Sequence, residues 1–111
     1  YINAEQKDVT IIKSPVGLPG RAIFNQFIED VNSGIKKPYK CPYHCIKTCD
    51  YTNSPYCIAL ALMNAQKGIL KNGFVFAGAN VHKINKIVSV KELINSLREE
   101  YYTACKDDNN Y

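Results

Sequence analysis

Four of the five cysteines of this chain fall between residues 41 and 57, in the run Cys41-Pro-Tyr-His-Cys45-Ile-Lys-Thr-Cys49-Asp-Tyr-Thr-Asn-Ser-Pro-Tyr-Cys57. The spacing is C-x3-C-x3-C-x7-C, with His44 inside it. Thiols this dense in a short chain serve a disulfide framework, a metal site or a redox role, or stay free. An odd total of five and an N-terminus without a signal-peptide pattern argue against a disulfide framework. Placed on one continuous helix, Cys41, Cys45 and Cys49 share a face, yet the outer two stand about 12 Å apart along the axis at 1.5 Å per residue. Zinc holds its sulfurs at about 2.3 Å, so those thiols cannot meet on one ion. A cubane is wider but still needs its ligands wrapped around it. Metal binding therefore requires a loop, which Pro38, Pro42 and Pro55 permit.

The spacing matches neither the paired C-x2-C units of zinc ribbons nor the ferredoxin run. It suits a helix face better than a chelating turn, so free thiols are the preferred reading. The alternative is a free-standing cysteine-rich binding module holding a zinc ion or an iron–sulfur cluster on Cys41, Cys45, Cys49 and Cys57. Cys105 reads as a small packed hydrophobe. His44 and His82 lie far apart with no identifiable Ser or carboxylate partner, and read as polar surface side chains. The GxxxxGK[ST], HExxH and GxSxG patterns do not occur.

The elements that must position these residues are legible in outline. Val9–Lys13 is β-branched and short, and reads as a strand. Ser14-Pro-Val-Gly-Leu-Pro-Gly20 reads as irregular. A first helix is expected from about Arg21 to Asn32, with Phe24, Phe27, Ile28 and Val31 as its apolar stripe and Gly34 as its stop. A second is expected with Ser54 as N-cap and Pro55 at its first position, a stripe of Ile58, Ala61, Leu62 and Ala65, and Gly68 at its end. Cys57 would then lie in its first turn, where free amides and the helix dipole favour a thiolate. Phe74–Ala77 reads as a second strand. A third helix opens with the capping box Ser89-Val-Lys-Glu92, stapled by Val88 and Leu93. Its stripe is Val90, Leu93, Ile94, Leu97 and Tyr101. The tail 106–111 is expected to fray.

At 111 residues the chain is at most one domain, with a core modest in size. A hydrophobic fraction of 46% and a net charge of +4 are ordinary for a soluble protein and give no case for nucleic-acid binding. The basic run Lys36-Lys37-Pro-Tyr-Lys40 reads as a solvated loop. No apolar stretch approaches the roughly 20 residues that span a bilayer. The opening Tyr-Ile-Asn-Ala-Glu-Gln-Lys, without an initiator Met, reads as a piece of something longer. The class is α+β and mainly helical, with about three helices and two short strands. Three amphipathic helices on so little sheet need a further surface.

Four blocks carry a resemblance: Ser14-Pro-Val-Gly-Leu-Pro-Gly-Arg-Ala-Ile-Phe-Asn25, Cys41-Pro-Tyr-His-Cys-Ile-Lys-Thr-Cys-Asp50, Tyr56-Cys-Ile-Ala-Leu-Ala-Leu62 and Gly73-Phe-Val-Phe-Ala-Gly-Ala-Asn80. In this order the chain, from about Tyr1 to Leu97, resembles the C-terminal third of nitronate monooxygenases (2-nitropropane dioxygenase-like proteins). The cysteine-bearing version resembles the branch labelled NAD(P)H-dependent flavin oxidoreductase. The resemblance implies a parent (β/α)8 barrel with FMN at the C-terminal ends of its strands, NAD(P)H as a possible electron donor, and a nitronate or enoyl thioester as substrate. This chain would be the end of the barrel and the cover over the flavin, shaping the substrate cavity and inactive alone. Residues 1–20 would be strand and loop, 21–68 the cysteine-rich helical cover, 69–105 the return strand and final helix, and 106–111 the tail. Its partner would be the rest of the barrel, in the cytoplasm, with no nucleic acid or membrane. Neither histidine matches the family's catalytic block, so no catalytic residue is carried over. Gly78-Ala79-Asn80 corresponds to a Gly-Gln turn on the active-site side, which makes Gly78 and Asn80 candidates for flavin or substrate contact.

Overall fold

The computed structural model describes residues 1–37, 40–41 and 44–109. Pro38 and Pro42, invoked above as loop formers, and the tail residues Asn110 and Tyr111 lie outside them. Among the described residues there are three α-helices and one two-stranded sheet, with short 3-10 turns at Gln6–Asp8, Leu70–Asn72 and Val81–Lys83.

β1 is Val9–Lys13, as its β-branched run predicts. Its partner is not the expected one. β2 is Pro19–Ile23, antiparallel to β1 in a register that runs from Val9 opposite Ile23 to Lys13 opposite Pro19. The Pro/Gly segment thus supplies both a turn and the start of a strand. Pro19 is tolerated because it is the first strand residue, and Gly20 leaves the space that the Phe76 ring fills. The expected strand Phe74–Ala77 reduces to one bridge, Ala22 opposite Phe76. It is held by Ile23 N–H to the Val75 carbonyl at 3.1 Å and Ala77 N–H to the Arg21 carbonyl at 3.0 Å.

α1 is Gln26–Asn32, starting five residues later than the apolar stripe suggests. Arg21, Ala22 and Ile23 are committed to the sheet, and Asn25 caps the helix by accepting from Ile28 N–H at 3.1 Å. Phe27 and Ile28 are buried, while Phe24, outside the helix, is exposed. α2 is Ile58–Gln66, with Cys57 as its N-cap residue in place of the expected Ser54. Ser54 spends its hydroxyl on the Asp50 carbonyl at 2.7 Å. Tyr56 is instead needed in the core. Leu62 of the expected stripe faces solvent, and Ala61 is the buried position.

Both helices stop on glycines in left-handed geometry, Gly34 at φ +86° and Gly68 at φ +80°. Each stop is a Schellman motif. Gly34 and Ile35 donate to the Val31 and Asp30 carbonyls, and Gly68 and Ile69 to those of Ala65 and Asn64. The core gathers Ile12, Ala22, Phe27, Ile28, Tyr56, Ala61 and Phe74. Its centre is aromatic: Phe27 meets Tyr56 edge-on at 5.1 Å and stacks with Phe74 at 5.9 Å, and Tyr56 meets Phe74 edge-on at 5.8 Å. Such pairs add about 0.5–1.5 kcal/mol each beyond the area they bury. That aromatic cluster stabilises a sheet too small to stand alone.

α3 is Val90–Asp108, opening on the expected capping box. Ser89 accepts from Glu92 N–H at 3.2 Å, and the Glu92 carboxylate accepts from Ser89 N–H at 2.9 Å. The helix runs through Lys106, Asp107 and Asp108, so the start of the expected frayed tail is ordered helix, held by its i, i−4 ladder. None of its residues is buried, and the stripe Val90, Leu93, Ile94, Leu97 and Tyr101 faces solvent throughout. The radius of gyration is 18.2 Å, against about 13 Å for a compact chain of this length. α3 therefore stands off the core with an apolar face uncovered.

Candidate functional site

The connection between α1 and α2, residues 33–57, holds the cysteine cluster, and its described residues form neither helix nor strand. The expectation that Cys41, Cys45 and Cys49 share a helix face is therefore overturned. Hydrogen bonds to side chains and isolated carbonyls take the place of a ladder. The Asp50 carboxylate accepts from the Thr52 hydroxyl at 2.7 Å and the Asn53 amide at 3.0 Å. These bonds, the Thr52 one first, hold its pKa below the usual carboxylate value. The Asp50 carbonyl accepts from Asn53 and Ser54 N–H as well. The turn so formed brings the chain back from Cys49 to Cys57. Thr48 ties the segment to the hairpin by donating to the Val16 carbonyl at 2.7 Å. Lys37 ties its start to α1 through Asp30 at 2.8 Å and to its end through the Pro55 carbonyl at 2.7 Å.

All five cysteines are unpaired. Cys57 is buried, Cys41, Cys49 and Cys105 are partly buried, and Cys45 is exposed. Cys41, Cys45, Cys49 and Cys57 line one cavity of about 20 Å³ together with His44. No group of three or more His, Cys, Asp or Glu among the described residues is placed to hold a single metal ion. His44 has φ +45° and its N–H donates to Cys41 Sγ at 3.3 Å. Its exposed ring lies 4.1 Å from that of Tyr51. His82 is less exposed than expected, and its buried Nδ1 has no hydrogen-bond partner. The two histidines are not brought together by any contact described.

A larger cleft of about 300 Å³ is lined by Cys57 as well, together with Phe27, Lys37, Tyr56, Leu60 and Asn64. That is the low end for ligand pockets. Two of its polar groups are already engaged: Lys37 with Asp30, and the Asn64 amide with the Asn72 carbonyl at 3.1 Å.

Gly78 and Asn80 sit at an exposed turn. A Cβ at Gly78 would meet nothing, and the Asn80 side chain caps no amide. The Val81 and Lys83 amides after them are spent on the Gly78 and Asn80 carbonyls. The Gly78, Ala79 and Asn80 amides themselves donate to no carbonyl of the described residues, so the open turn has donors to offer a ligand.

A model of the nitronate monooxygenase family matches residues 1–100. The chain belongs to that family. Nitronate monooxygenases are FMN-dependent oxidoreductases. The match reaches through the hairpin, the cysteine-rich connection, α2 and the first half of α3. No curated protein matches the chain. Among the described residues, no helix of this nitronate monooxygenase-family chain is long and apolar enough to cross a membrane.

Proposed function

We propose that this chain is the C-terminal cover of an FMN-dependent nitronate monooxygenase-like enzyme, and that it shapes the substrate cavity over the flavin. The family match over residues 1–100 carries this reading. The open face of α3 supports it, because Leu93, Ile94 and Leu97 need an apolar surface that the core does not offer. A barrel wall of parallel strands and helices is such a surface. At 111 residues the chain is too short for eight βα units, which take about 250 residues. Its own sheet is an antiparallel hairpin, which supports assigning the barrel strands and the phosphate site to the rest of the parent.

FMN would supply the electron transfer, from a nitronate or from NAD(P)H to oxygen or an enoyl thioester. The part left to these residues is to exclude water and orient the substrate, with Gly78 and Asn80 at the flavin-facing turn. Unpaired thiols suit a reducing compartment such as the cytoplasm. Flavin absorbance of the parent protein and of this chain alone tests the proposal. The parent should retain about one FMN per chain and this chain none, with no reduction of added FMN by NAD(P)H. Micromolar FMN binding by the 111-residue chain would overturn it.

A further inference from the structure

We infer that Cys41, Cys45, Cys49 and Cys57 form a four-thiolate metal centre that fastens the long connection onto the start of α2. The inference is independent of the flavin reading. Connections without helix or strand are uncommon beyond about 12–15 residues unless they carry function, and the connection between α1 and α2, whose described residues form neither, exceeds that length. A loop is the arrangement that thiolate chelation requires, since a single helix spreads these sulfurs along its axis. The thiols of this loop do not scatter: all four line one cavity, and none is spent in a disulfide.

The surroundings suit thiolates. The His44 amide donates to Cys41 Sγ, as backbone donors do around metal-bound sulfur, and His44 takes up left-handed geometry to place it. Cys57 is the N-cap residue of α2 and makes no side-chain cap bond, so its sulfur is free for a metal. The Asp50 turn sets the return from Cys49 to Cys57. Soft sulfur donors select zinc or iron–sulfur clusters over hard cations.

The thiols as they stand are not grouped to share one ion, and the cavity of about 20 Å³ is little more than one water requires. A connection whose described residues have no ladder to break can close around a zinc ion or open around a cluster, whose irons sit at separate corners. In either case each thiol loses its proton to solvent as a metal–sulfur bond forms, and a cluster brings its own sulfide. Zinc binding needs no oxidant or reductant, and a cluster is transferred preassembled, with its irons already at their oxidation states.

The test is metal and acid-labile sulfide content of the chain purified anaerobically from cells supplied with zinc and iron. About one zinc, or about four irons with visible thiolate-to-iron absorbance, supports the centre and tells which metal fills it. Changing any one of the four cysteines to Ser should cut metal content at least tenfold, whereas Cys105→Ser should leave it unchanged. Titration of the unaltered chain with Co²⁺ gives a readout that does not depend on how a variant folds. A tetrahedral thiolate spectrum at one equivalent is expected if zinc is the occupant. Protein that carries neither metal and shows no such spectrum overturns the inference. So does metal that survives all four single substitutions.

Discussion

Gly73 lies so close to the backbone of Ala61 that a Cβ on it would overlap the Ala61 carbonyl. This approach seats the turn before Phe74 against α2, and the Gly73 carbonyl in turn accepts from Asn25 Nδ2 at 2.8 Å. One glycine thus joins the cap of α1 to the flank of α2. Gly73→Ala should destabilise the core by about 1–3 kcal/mol, because backbone rather than a flexible side chain must move. Denaturant unfolding followed by the aromatic near-ultraviolet signal measures it, and an unchanged midpoint refutes the close approach.

Ser89→Ala should cost α3 about 1 kcal/mol by leaving the Glu92 amide without its acceptor. Since α3 buries nothing in this chain, the loss should appear as lower helicity at 222 nm and leave the core transition in place. A fall in the core midpoint equal to the loss of helicity would mean that α3 packs on the core after all.

Burial in the aromatic cluster pushes the Tyr56 phenol up to about 12. The unfolded chain ionises this phenol near pH 10, so between pH 10 and 12 the folded state holds the proton that the unfolded state has released. Stability contributed by the neutral phenol is therefore present below pH 10 and is lost as the pH rises through that window. Tyr56→Phe should flatten the alkaline fall in melting temperature. If variant and parent lose stability in parallel from pH 10 to 12, Tyr56 is not the group responsible.

The hydrogen bond from Lys37, followed by that from Gln26, holds the Asp30 carboxyl below its ordinary value. A depressed carboxylate stabilises the fold above its unfolded pKa, and that share is lost as the pH falls through the folded value. Lys37→Met should move the Asp30 titration upward, read from its carboxyl carbon by NMR. The same substitution frees the Lys37 side of the cleft beside Cys57, so it is the variant in which a ligand of that cleft would first change affinity.

The ends of elements were well marked in the sequence wherever the mark is a local hydrogen bond. Gly34 and Gly68 stop α1 and α2, and Ser89 with Glu92 starts α3, because the groups involved are within five residues of each other. β1 was legible from its β-branching. The starts of α1 and α2 were not, since each was decided by a distant partner: Arg21–Ile23 pairs with β1 and Phe76, and Tyr56 is drawn onto Phe27 and Phe74. A 3.6-residue stripe cannot report a strand that ends where the helix begins. Asn25 ahead of Gln26 was the one local signal for the true start of α1.

The candidate site divides along the same line. Sequence by itself determined which residues carry soft thiol donors, the apolar face of α3, and the four blocks that place the chain among nitronate monooxygenases. Tertiary structure alone decided that the described residues of the cysteine run form no helix, that its four cysteines line one cavity, and that Gly78 and Asn80 form an open turn. The reason is range. Periodicity and capping are set by neighbours a turn away, whereas the path of a 33–57 connection is set by the Asp50 turn, the Thr48 bond to Val16 and the burial of Tyr56, which join parts of the chain far apart in sequence.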